Sequence, residues 1–102
     1  MRGHKEIAVL AFPGNEVAGA ALAMHWGAPA LPVKLHRFPD GETSVTLPTE
    51  LEGRCVVLVC TLDRPDEKLA ALLFAADAAR EMGAVQVGLV APYLAYMRQD
   101  KR

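Results

Sequence analysis

Only two cysteines occur in these 102 residues, and neither sign of charge is in excess, with eleven Lys and Arg against twelve Asp and Glu. Scarce cysteine excludes a disulfide-dense scaffold. The lack of a basic excess removes the usual footprint of a nucleic-acid binder, so no nucleic-acid partner is expected. Long apolar runs are missing too. The chain opens on the polar Met1-Arg2-Gly3-His4-Lys5, and the apolar stretch from Ile7 to Phe12 is too short for a secretory core or a membrane span. The dinucleotide glycine fingerprint and the Walker sequence are also absent. What is present is ordinary for a soluble chain: 52% hydrophobic and 23% charged residues, which excludes disorder. A chain of this length makes one domain or part of one. It buries only about two-thirds of its unfolded surface, so a partner would add useful stability. Both cysteines lie in the run Cys55 to Cys60. On a strand they stand roughly 16 Å apart on opposite faces, beyond disulfide reach. Two reduced, buried, inert thiols and a cytoplasmic location are expected.

The order of elements follows from period and punctuation. An apolar strand from Glu6 to Phe12 runs into Pro13-Gly14-Asn15, a turn with Asn15 placed as an N-cap. Residues 16–26 are alanine-rich, with Val17, Ala20, Ala21 and Met24 at helical spacing and Gly27 at a left-handed C-cap. Alternation then takes over: Val33 and Leu35, the turn Phe38-Pro39-Asp40-Gly41, then Val45 and Leu47. This predicts an antiparallel hairpin over residues 32–48 with one buried face and a type I turn. Cys55 to Cys60 is apolar without alternation, as in a parallel strand covered on both faces. A helix over residues 66–82 follows, with Leu69, Leu72, Leu73 and Ala76 as its stripe, acidic residues at its start and Arg80 near its end. Gly83 closes it, and a last strand covers residues 85–91. Strand, helix, hairpin, strand, helix, strand is an α/β pattern built on right-handed βαβ crossovers.

In such sheets ligands bind beyond the carboxyl ends of the strands. Three loops qualify: Phe12 to Asn15, Thr61 to Asp66, and the tail from Pro92. By residue type, Gly14 is a turn residue, and Asp63 and Asp66 are helix-capping carboxylates. The tail Arg98-Gln99-Asp100-Lys101-Arg102 carries arginine forks that pair with phosphate or stack on a base, plus polar donors and acceptors. On composition alone it reads rather as a solvated terminus. At the hairpin tip, Phe38 beside Asp40 and Glu42 could stack an adenine and accept hydrogen bonds from its amino group, or could simply be turn chemistry. His4, His25 and His36 lack ligand spacing, so no metal site is expected within the chain.

Three stretches together resemble ribose-phosphate pyrophosphokinase, also called phosphoribosyl pyrophosphate synthetase. They are Arg37-Phe38-Pro39-Asp40-Gly41-Glu42 with Val45, Arg64-Pro65 ahead of the Leu69–Ala79 helix, and residues 91–102 ending Tyr96-Met97-Arg98-Gln99-Asp100-Lys101-Arg102. Gly14-Asn15 and Ala18 also fit, while Ala95 and Met97 are tolerable departures. The resemblance implies a type I phosphoribosyltransferase-like fold, a mostly parallel sheet flanked by helices with an antiparallel hairpin. Residues 1–102 would be its incomplete, truncated amino-terminal domain. The family transfers the β,γ-diphosphoryl group of ATP to the 1-hydroxyl of ribose 5-phosphate, giving phosphoribosyl pyrophosphate and AMP. It works with Mg²⁺, whose ligands would lie beyond the chain end.

By the same resemblance, Arg98, Gln99 and Asp100 contact ATP, and Phe38, Asp40 and Glu42 complete the adenine pocket from a neighbouring subunit of a dimer-based homo-oligomer. Lys101 and Arg102 open the basic catalytic loop. The histidine metal segment and the ribose 5-phosphate loop of the family do not occur in these residues, so the chain alone is expected to be inactive. Two alternatives are a non-catalytic homologue that binds and regulates synthetase subunits, and a phosphoribosyltransferase domain. The latter would need an acidic phosphoribosyl pyrophosphate loop not found here.

Overall fold

The computed structural model describes residues 7–41, 43–48, 50–62 and 65–92. Its centre is a four-stranded, all-parallel sheet in the order β2-β1-β5-β6, formed by β1 (Ile7–Ala11), β2 (Ala30–Pro32), β5 (Cys55–Val59) and β6 (Gln86–Val90). A separate two-stranded antiparallel sheet pairs β3 (Lys34–Arg37) with β4 (Thr43–Thr46). Helix α1 (Glu16–Trp26) joins β1 to β2, and α2 (Pro65–Glu81) joins β5 to β6.

The helices lie on opposite faces. Ala23 of α1 packs with Val9 and Val59, whereas Ala71, Leu72, Ala75 and Ala79 of α2 pack with Val56 and Leu58. The chain steps from β1 to β2 in one direction and from β5 to β6 in the other. Opposite steps over opposite faces give both crossovers the same hand, as the right-handed rule requires. Alternate residues of β1 and β5 therefore meet two cores, which is why neither strand alternates in polarity.

The larger core includes Leu10, Phe12, Leu51, Val56 and Leu58, each at most 2% exposed. Burying side chains of this size stabilises the fold by about 1.5–3 kcal/mol each. The hairpin closes the same core. Val33 and Leu47 are buried, Leu35 and Val45 pack beside them, and Lys34 and His36 face outward. Its turn is closed by the Gly41 N–H donating to the Phe38 carbonyl at 2.9 Å, as the Phe-Pro-Asp-Gly spacing predicts. The hairpin is shorter than expected, because Ala30–Pro32 belongs to the parallel sheet and only the residues from Lys34 onward pair with β4.

Both helices turn a different face inward from the one their apolar stripes suggest. In α1, Val17 and Met24 are more than 80% exposed, while Gly19 and Ala23 are buried. Gly19 explains the choice: a Cβ there would lie 2.8 Å from the Ala11 Cβ, so the missing side chain lets the helix settle onto β1. In α2, Leu72 is buried as expected, but Leu69 and Leu73 are exposed and the inner face is Ala71, Ala75 and Ala79. Alanine allows close approach, and the larger leucines line an open groove of about 240 Å³ beside β6. Gly27 ends α1 at φ 66° as expected. Cys60 is buried, but Cys55 is only half-buried, its thiol 3.7 Å from Gln86 Oε1, so only one of the two thiols is shielded.

Candidate functional site

Because all four central strands run in parallel, their carboxyl ends share one edge of the sheet. The strand order reverses between β1 and β5, which places the switch-point crevice between the loop after Ala11 and the loop after Val59. Backbone bonds carry the ladder past the strand ends. Phe12 N–H donates to Val59 O at 3.0 Å, and Cys60 N–H donates to Val90 O at 3.1 Å. The start of the tail at Ala91 is thereby set beside Cys60.

Asn15 ties this edge together. Its Nδ2 donates to Thr61 Oγ1 at 2.6 Å, and the Thr61 N–H donates back to Asn15 Oδ1 at 3.1 Å. The Thr61 carbonyl accepts from Lys68 Nζ at 3.0 Å, so every polar group of Thr61 is engaged. Asn15 is 7% exposed, the one polar residue among those described that is buried. The expectation that it caps α1 with its side chain fails, because that side chain is committed to a residue 46 positions away. Glu16 Oε1 accepts instead from the Gly14 N–H at 3.0 Å. Sequence reasoning also missed Lys68, whose reach back by seven residues has no local motif.

The hairpin tip lies outside the core. Phe38 is 43% exposed, and its ring meets that of His36 edge-on, with centroids 4.4 Å apart and planes at 73°. Asp40 is exposed beside it. The structure thus brings Phe38 and Asp40 to one turn. Glu42, Arg98, Gln99, Asp100, Lys101 and Arg102, together with His4, Asp63 and the side chain of Asp66, lie outside the described residues. Among the described residues, no three of His, Cys, Asp and Glu converge to hold a metal ion, and no helix is long and apolar enough to cross a membrane.

Comparison with known proteins sets this geometry in a family. The family model for the N-terminal domain of ribose phosphate pyrophosphokinase matches residues 7–102. The ribose-phosphate pyrophosphokinase of Methanopyrus kandleri is 44% identical over 94 residues, a match covering 92% of this chain and 32% of that protein. The Methanothermobacter thermautotrophicus enzyme of the same name is 32% identical over 94 residues, covering 92% and 33%. Among solved structures, phosphoribosylpyrophosphate synthetase from Mycobacterium smegmatis superposes with a TM-score of 0.75 at 19% identity, over 96% of this chain and 33% of that one. A purine phosphoribosyltransferase from Pyrococcus horikoshii Ot3 gives 0.60 at 17%, over 90% and 66%. Both share the mostly parallel, helix-flanked architecture. The chain spans about a third of the length of the curated relatives it matches. It belongs to the ribose-phosphate pyrophosphokinase family, a family of transferases, and corresponds to its N-terminal domain.

Proposed function

We propose that residues 1–102 form the nucleotide-binding part of an enzyme that transfers the diphosphoryl group of ATP to ribose 5-phosphate. The oxygen of the sugar 1-hydroxyl attacks the β-phosphorus in line and loses its proton. The bond from that phosphorus to the α-phosphate oxygen breaks, and AMP leaves. Positioning and charge neutralisation carry such a step.

The observation that supports the reading is Phe38, an aromatic ring left largely outside the core on a turn whose neighbouring strands bury their apolar side chains. A ring so placed offers a face on which a purine stacks, with Asp40 and Glu42 to accept from its exocyclic amine. Arg98, Gln99 and Asp100 are assigned to ATP from the tail that leaves β6 at the carboxyl edge of the sheet, and Lys101 and Arg102 to the transferring phosphates. Phe38, Asp40 and Glu42 serve the pocket of a neighbouring subunit, which makes the active form a homo-oligomer of dimers. Mg²⁺ would enter with ATP and offset the phosphate charge. The enzyme is assigned to the cytoplasm.

AMP release tests the proposal. The full polypeptide encoded by the gene, supplied with MgATP and ribose 5-phosphate, should form AMP and phosphoribosyl pyrophosphate in equal amounts. Residues 1–102 alone should form none. A full polypeptide that makes no AMP, or releases ADP instead, would overturn it.

A further inference from the structure

The Asn15–Thr61 pair has no counterpart in the chemistry assigned so far, although among the described residues it is the most heavily bonded polar feature of the carboxyl edge. Two hydrogen bonds join Asn15 to Thr61, at 2.6 and 3.1 Å, and Lys68 holds the Thr61 carbonyl at 3.0 Å. Cys60, the preceding residue, binds the end of β6 through Val90 O. The path from Asn15 to the base of the tail is therefore continuous: Asn15, Thr61, Cys60, Val90, Ala91. Asn15 holds the N-cap position of α1, its carbonyl accepting from the Gly19 N–H at 2.9 Å, but its side chain makes no cap bond. Its side chain instead locks the β1 loop to the β5 loop across the switch point, where the chain bearing Arg98 begins.

We infer that Asn15 is a positioning residue for ATP, acting through Thr61 to fix the direction in which the tail leaves the sheet. The inference rests on the assignment of Arg98–Asp100 as ATP contacts. A buried amide suits the task, since the pair satisfies both partners without introducing a charge. Lys68 supports it by donating to the Thr61 carbonyl, a third bond held by the same residue.

The test uses steady-state kinetics of the full polypeptide. Asn15→Ala should raise KM for ATP about tenfold, the equivalent of one to two lost hydrogen bonds. It should leave KM for ribose 5-phosphate unchanged, because the bonds it removes hold only the β1 loop to the β5 loop. Thr61→Val, which keeps the N–H bond and loses the hydroxyl, should raise KM for ATP about threefold and replaces Asn15→Ala if that variant does not fold. A fall in kcat with both KM values unchanged would mean fewer folded molecules and would overturn the inference. Arg98→Ala separates the two levels: unchanged ATP affinity there removes the ATP assignment itself and this inference with it. Weakened affinity there, with normal Asn15→Ala kinetics, removes only the role of Asn15.

Discussion

Replacing Gly19 with alanine sets two effects of opposite sign against each other. By helix propensity alone the change should stabilise α1, because glycine in a helix interior is about 0.8–1.0 kcal/mol worse than alanine. The packing says otherwise. The new Cβ would lie 2.8 Å from the Ala11 Cβ and 3.8 Å from Val9 Cγ1. Non-bonded carbons prefer roughly 3.5–4.0 Å, so the helix would have to retreat by about 0.7 Å. Ala11 cannot give way by rotating, since its Cβ is fixed to the backbone of a strand paired on both sides. Overpacking of this kind costs about 1–3 kcal/mol, which exceeds the propensity gain. The expected net loss is about 1 kcal/mol in urea denaturation, or roughly 4–8 °C in Tm for a domain of this size. The pair Gly19→Ala with Ala11→Gly should recover part of that loss, because removing the second Cβ reopens the space. If Gly19→Ala alone proves more stable than wild type by the propensity increment, α1 does not sit on β1 as described.

Two further outcomes follow from burial. Thiol titration of the native chain should modify the half-buried Cys55 first and Cys60, fully enclosed, only on unfolding; simultaneous modification would contradict the placement of β5. Phe38→Ala, measured in the full polypeptide, should cost no more than about 1 kcal/mol of stability because the ring is 43% exposed, yet should weaken ATP binding about tenfold or more. Unchanged ATP affinity would return Phe38 to turn packing.

Much of the fold was legible because polarity and punctuation carried it. The unbroken apolar run at Cys55–Val59 announced a parallel strand with two covered faces, and Phe38-Pro39-Asp40-Gly41 announced the hairpin turn. The inward faces of the helices were not legible, since an alanine-rich helix offers little contrast between its sides. Val17 and Met24 looked like a stripe and are exposed, while Gly19, with no side chain at all, marks the contact. The strand Ala30–Pro32 was hidden by its brevity and its proline, which is tolerated at the sheet edge where β2 lies. The motif residues stand out by type and spacing, whereas the tie from Asn15 to Thr61 at the carboxyl edge bridges 46 residues and exists only once the sheet has formed. Local sequence at Asn15 favours a cap, and the tertiary partner wins.

Subunit mixing tests the central claim, that Phe38 from one subunit and Arg98 from another complete a single ATP pocket. Full polypeptides carrying Phe38→Ala and Arg98→Ala would each be purified, assayed for AMP formation, then dissociated and reassembled together. The account expects each variant alone to be impaired and the mixture to regain activity, because a mixed dimer places both substitutions in one pocket and leaves the other intact. A mixture no more active than the average of its parts would contradict a pocket shared between subunits.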